Sequence, residues 1–213
     1  MRSLFWMAVG ACVILTAASQ TAEAVGLGMY TRYGTSSVEA EIGDSDFDSV
    51  DMDRSHLAIG LALDTAVARQ SVFNYRLELG YTEVSVEYDR SNFELDFTGG
   101  EINNTFGFAI VRSHSTRIWL GPTFRLSGGS GEVADSDIDA SYIAVGAGAV
   151  LGGNHHLGSV ASICWSLGYV YQYGVVLFDE EEESWGDSDD ITLTGGGFNG
   201  TIAMIFHLGG EER

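Results

Sequence analysis

The stretch Phe73-Asn74-Tyr75-Arg76-Leu77-Glu78-Leu79-Gly80-Tyr81-Thr82 runs without a break into Glu83-Val84-Ser85-Val86-Glu87-Tyr88, and its alternation decides the fold. In the first part Phe73, Tyr75, Leu77, Leu79 and Tyr81 form one row, and Asn74, Arg76, Glu78, Gly80 and Thr82 form the other. Strict period two is the mark of a β-strand with two different faces. In the second part the same two rows continue, but their chemistry exchanges. Glu83, Ser85, Glu87 and Asp89 now follow the aromatic and aliphatic row, while Val84, Val86 and Tyr88 follow the polar one. One strand whose polarity inverts with no slip of register crosses from one surrounding medium into another.

Working outward, the same period recurs in eight segments: 25–33, 56–63, 73–82, 106–110, 118–126, 143–151, 162–173 and 198–208. Short connections lie near 64–72, 112–117 and 152–159. Long ones lie near 35–53, 83–101, 127–140 and 174–190, and these hold 25 of the 30 acidic residues. An even number of strands, with short turns at one end and long loops at the other, predicts an all-β fold. It is an eight-stranded antiparallel up-and-down transmembrane β-barrel. Apolar rows of about nine to eleven residues suit a tilted strand crossing a bilayer. A soluble barrel with its apolar row inside would alternate equally well, so the second row has to discriminate. It is mostly Gly, Ala, Ser and Thr with a few charges of both signs, which fits a narrow lumen and not a charged, solvated exterior. Tyr33, Tyr81, Tyr171 and Tyr173 near the row ends fit an interfacial aromatic girdle.

The inversion seen at residue 83 repeats in the other long segments. Glu39 and Glu41 lie outside with Val38 and Ile42 inside. Asp51 and Asp53 lie outside with Val50 and Met52 inside. Glu94 and Asp96 lie outside with Phe93, Leu95 and Phe97 inside. Asp137 and Asp139 flank Ile138, and Asp190 and Thr192 alternate with Ile191 and Leu193. The strands are therefore expected to project past the lipid as an extracellular sheet, acidic outside and apolar within, with a turn near 89–92.

The chain has 213 residues, with 30 acidic side chains against 10 basic ones, all arginine, and a formal charge of −20. That balance excludes nucleic-acid binding, which needs a basic footprint. Cys12 and Cys164 are the two cysteines, too few for a disulfide scaffold or a cysteine-ligated zinc site. Met1-Arg2-Ser3, an apolar run from Leu4 to Ala18 and Ala22-Glu23-Ala24 are read as a cleaved signal peptide over 1–24. The run is short for a spanning helix, and it continues past Cys12, which fits a lipoprotein poorly. The barrel then occupies 25–208, and 209–213 is a short tail.

Arg76-Leu77-Glu78-Leu79-Gly80-Tyr81, Trp119-Leu120-Gly121-Pro122-Thr123-Phe124 and Gly146-Ala147-Gly148-Ala149-Val150-Leu151-Gly152 resemble strands of the small OmpA- and OmpX-like outer-membrane barrel proteins. The resemblance covers nearly all of 25–208. It implies a Gram-negative outer-membrane protein in contact with lipid and lipopolysaccharide, inserted by the barrel-assembly machinery. Such proteins often end on an aromatic residue, whereas here Phe206 and Leu208 precede Gly209-Gly210-Glu211-Glu212-Arg213.

Candidate sites are few. Arg32, Arg76 and Arg125 with Glu78 and Glu101 are expected to form a lumen ion-pair network, since buried charges persist only when paired. Asp44-Ser45-Asp46-Phe47-Asp48 has the opening spacing of a calcium loop, but Ser49 stands where the sharp glycine turn belongs. With Asp187-Ser188-Asp189 and Asp135-Ser136-Asp137 it is read as weak Ca2+ or Mg2+ binding by dense carboxylates, with no dedicated metal site and no cofactor. Lipid A deacylases and palmitoyltransferases use eight-stranded barrels of the resembled kind, so the histidines matter. His114 and His155-His156 are placed on short periplasmic turns, and His56 and His207 in the lumen. No Ser, His and acid meet on one lipid-facing rim, and no catalytic residue is assigned. The expectation is a monomeric, non-enzymatic barrel with a closed lumen, serving envelope integrity or adhesion through an unknown extracellular ligand. A narrow channel or a lipid-A-modifying enzyme is the alternative.

Overall fold

The computed structural model describes residues 25–42, 49–66, 71–88, 93–133, 139–178 and 190–208. The expected leader 1–24 and tail 209–213 lie outside them, as do Asp44, Asp46, Asp48, Asp89, Asp135, Asp137, Ile138, Asp187 and Asp189. Eight strands make up the described chain: β1 (Val25–Ile42), β2 (Val50–Asp64), β3 (Phe73–Tyr88), β4 (Phe93–Arg112), β5 (Thr116–Val133), β6 (Asp139–Leu157), β7 (Ala161–Phe178) and β8 (Ile191–Leu208). Each pairs antiparallel with its neighbours in sequence, and β8 returns to β1 to close the barrel. Among the described strands, closure leaves each with a neighbour on both sides, which a lipid environment requires.

The strands are 15–20 residues long, well beyond the nine to eleven that a bilayer needs. Most of 35–53, 83–101 and 127–140, read as long connections, is therefore strand, as the continued alternation there required; of 174–190 the strand takes up 174–178, and 179–189 lies outside the described residues. The connection expected over 152–159 is shorter than predicted. β6 continues through His155 and His156 to Leu157, and only 158–160 turns, with Gly158 at φ 72° in the left-handed region that glycine tolerates. Among the described residues the ladder register shifts at one place, and exposure also stops alternating at Tyr75, which is buried although its row faces lipid. A bulge in β4 between Ala109 and Val111 lets the consecutive Ile110 and Val111 both face outward.

Two media are written on the outer surface. Around the lower barrel, Met29, Leu61, Ile110, Phe124, Leu167 and Ile202 stand at half exposure or more. A continuous apolar belt of this extent is not tolerated against water and identifies the lipid-facing zone. Toward the long-connection end Glu39, Asp51, Asp53, Glu83, Glu87 and Asp96 take over the exposed row. Long loops lie outside the cell in barrels of this kind, so this end is extracellular. Beneath the acids, Val38, Met52, Val84, Val86, Leu95, Phe97, Ile191 and Leu193 pack with Tyr142 and Val176 as one buried cluster. Val86, Leu95 and Val176 are fully buried there, while Val50, Tyr88 and Phe178 pack against the cluster from its margin. This is the small inner core that the parity of 84–88 and 95–97 predicted; the side chains of Ile42 and Phe93, read as inward too, lie outside the described residues.

Candidate functional site

Below the apolar plug the lumen is filled with polar side chains, as eight strands leave room for little else. The middle layer centres on Arg32 of β1. Its guanidinium bonds Glu78 of β3 through Nη2 and Glu101 of β4 through Nη1, and its Nε donates to Thr201 Oγ1 at 3.1 Å. Asn103 Nδ2 donates to Glu78 Oε2 at 2.9 Å, and Tyr30 donates its hydroxyl to Glu101 Oε1 at 2.8 Å. Arg125 of β5 joins more loosely, its Nε 3.9 Å from Glu101 Oε2. One fork thus holds two carboxylates from two further strands, a planar geometry that guanidinium supplies and ammonium does not.

Arg76 does not belong to this layer. The sequence groups it with Glu78 and Glu101, but the structure pairs it with Asp64, the last residue of β2, through both Nε and Nη2. The reason is register. Asp64 lies directly opposite Arg76 in the β2–β3 ladder, with both side chains turned inward, whereas Glu78 is two positions further along Arg76's own strand. Asp64 is fully buried; it accepts from the Ala66 amide at 2.6 Å and from Asn154 Nδ2 at 3.3 Å. Trp119 closes the layer. Its ring lies under the Arg76 guanidinium at 5.3 Å and its Nε1 donates to Asn154 Oδ1 at 2.8 Å. Opposite it stands Gly152, where a side chain would collide with the ring. Cys164 faces the same space, fully buried, and accepts from Asn154 Nδ2 at 3.0 Å.

The histidines separate into three settings. His114 is exposed in the β4–β5 turn. His155 is exposed at the end of β6 beside Thr116, while His156 is buried on the inner face. His156 Nδ1 is 2.9 Å from Ser162 Oγ, and that oxygen is 2.8 Å from His207 Nε2. This Ser-His-His group at the short-turn end escaped the sequence because 155–156 read as a turn and not as strand. Higher up, His56 is buried with Nε2 at 3.2 Å from Arg125 Nη1. Among the described residues, no group of three or more His, Cys, Asp or Glu is arranged to hold a metal ion.

No family model and no curated protein matches the chain. Solved structures do. The outer membrane protein OprG from Pseudomonas aeruginosa is similar at 12% identity over 87% of this chain and 97% of that one, with a TM-score of 0.57. A major outer membrane protein from Thermus thermophilus is 10% identical over 85% and 99%, with a TM-score of 0.48. Neisserial surface protein A is 14% identical over 80% and 95%, with a TM-score of 0.34. At such identities the likeness is one of fold, and of these three the OprG match is close enough to carry it. Together with the lipid-facing belt, that match makes the chain an eight-stranded β-barrel of the outer-membrane type.

Proposed function

We propose that the protein is a non-enzymatic, closed barrel of the bacterial outer membrane that presents a rigid acidic sheet at the cell surface, in a structural or surface-interaction role such as envelope integrity or adhesion. One observation carries this reading. Three layers cross the described lumen: the Asp64–Arg76–Trp119 layer, the Arg32–Glu78–Glu101 layer and the apolar plug around Val86 and Leu95. A transport path would have to break charge pairs whose carboxylates have nowhere else to go. The construction is spent on holding strands apart from water and stiff above the lipid. Its outer face then offers carboxylates to extracellular cationic groups, or to divalent ions shared with lipopolysaccharide phosphates. Insertion falls to the barrel-assembly machinery, as for other barrels of this fold.

Ser162 with its two imidazoles does not weigh against the reading. Its hydroxyl is almost fully buried at the periplasmic end, away from the outer-leaflet lipid A on which a barrel hydrolase or acyltransferase acts. The test is twofold. Protein in planar bilayers should give no sustained conductance, and lipid A mass spectra should be the same with and without expression. A steady open channel, or a deacylated or newly acylated lipid A, would replace this reading with one of the two alternatives.

A further inference from the structure

On the outer wall, where β3, β4, β5 and β6 run side by side, a groove of about 390 Å³ interrupts the lipid-facing belt. Leu79, Ile102, Leu126 and Ile143 are its walls, and Gly100 and Gly128 leave its floor as bare backbone. Glu101 borders it but turns its carboxylate into the lumen, onto Arg32 and Tyr30. The ladder explains the shape. Ile59, Tyr81, Gly100, Gly128 and Ile143 are successive partners across five strands, so two neighbouring positions of one row lack a side chain between bulky ones. Gly99 and Gly129, on the inner row of the same stretch, are required by space, since a Cβ there would strike the carbonyls of Gly128 and Thr98. Gly100 is not. Among the described residues, a Cβ at 100 would meet only the Gly80 carbonyl oxygen, at 3.8 Å, and its φ is outside the left-handed region. An exposed strand glycine that neither conformation nor space demands weakens the strand, and it marks a place where another body approaches the backbone closely.

The groove opens on the lipid side, so that body comes from the membrane. Its walls continue the belt and are hydrocarbon, which selects a hydrocarbon occupant over a hydrated one. Its volume is near the lower end for small-molecule sites, roughly 300–1,000 Å³, enough for part of one chain and too little for a protein element. It lies at the upper margin of the belt. The next outer-row residues above it are Thr98, Ser130 and Ser141, with Glu83 beside Thr98. A chain lying in the groove therefore ends at hydroxyls, which donate to ester and sugar oxygens. At this extracellular end the acyl chains esterified to sugars are those of lipid A. We propose that the groove is a docking site for one acyl chain of lipopolysaccharide, seated on Gly100 and Gly128 with its head against Thr98, Ser130 and Ser141. The proposal gives the envelope role above a lipid partner and rests on that reading. Neither conductance nor lipid A modification enters its test, so the two fail separately.

Protein purified in detergent should be titrated with lipid A and followed by native mass spectrometry. One lipid A should bind saturably to each wild-type barrel. Gly100→Leu puts a side chain in the groove and should weaken binding about tenfold, the loss expected when about two methylenes leave an apolar site. Thr31→Leu adds the same side chain to the exposed row of β1, away from the groove, and should leave binding unchanged. Lipid A with a photoreactive acyl chain gives a decision that needs no variant. Its cross-links to the wild type should concentrate on 98–102 and 126–130. Equal affinity of Gly100→Leu and the wild type, or cross-links spread evenly round the belt, would overturn the proposal. Phosphatidylethanolamine binding as tightly as lipid A would overturn the assignment to lipopolysaccharide. A wild-type dimer that Gly100→Leu dissociates would give the groove to a second copy of the chain instead.

Discussion

At the scale of single residues, parity assigns opposite environments to two tryptophans that look alike in the sequence. Trp119 is fully buried against Gly152 in the lumen, whereas Trp165 is 38% exposed on the belt and lies over Gly153 of the neighbouring strand. In single-tryptophan variants, brominated lipid should quench Trp165 strongly and Trp119 hardly at all; equal quenching would mean that the register is wrong. The Asp64–Arg76 pair makes a sharper energetic claim. Removing one partner leaves a buried charge alone, so Asp64→Asn or Arg76→Ala should cost about 3–5 kcal/mol in urea unfolding. The double variant should cost less than the sum of the two, because the second change removes a charge already orphaned by the first. Additive losses would show that the two residues do not act as a pair.

At the scale of the strand, a period of two is so simple that the two rows along 73–88 could be read before any partner was known, although Tyr75, on the row read as lipid-facing, is buried. The same rule fixed the buried faces of Val84, Val86 and Leu95. Which side chains meet across the lumen was not readable, because that depends on how far each strand slides against the next. Asp64 looked like the first residue of a turn, and only the β2–β3 register puts it opposite Arg76. His156 was hidden in the same way, since nothing in Gly152-Gly153-Asn154-His155-His156 marks the strand as continuing. The strand-scale prediction uses adjacent residues of β4. Leu95 is fully buried and Asp96 exposed. Leu95→Ala should cost about 2–5 kcal/mol and Leu95→Asp more, while Asp96→Leu should change stability little. In a Cys164→Ser background, cysteine at Glu87 should label rapidly with a membrane-impermeant reagent and cysteine at Val86 slowly. Uniform labelling along 83–88 would reduce the sheet to a loose acidic loop.

At the scale of the whole molecule, the charge of −20 is concentrated where the barrel leaves the lipid. Parity explains why acids sit on the outer face there, but it does not remove the cost of placing them beside one another. Asp53 on β2 pairs in register with Glu87 on β3, and Glu87 pairs in turn with Glu94 on β4. Like charges directly opposite on adjacent strands are destabilising, by roughly 0.2–1 kcal/mol for each pair relative to neutral residues. Folding of this end is therefore opposed by repulsion, which the buried cluster beneath it offsets. Reversing the middle charge tests that balance. Glu87→Lys exchanges two repulsions for two attractions and should raise stability at low ionic strength by about 1 kcal/mol, most of it lost at about 1 M salt, where the screening length falls to roughly 3 Å. Glu83→Lys is the control. Its partners across the ladder are Leu57 and Thr98, neither of them charged, so it should gain much less from the same change of sign. Equal gains at both positions would trace the effect to net charge alone, and no gain at Glu87 would mean that cations or water already relieve the repulsion along this row.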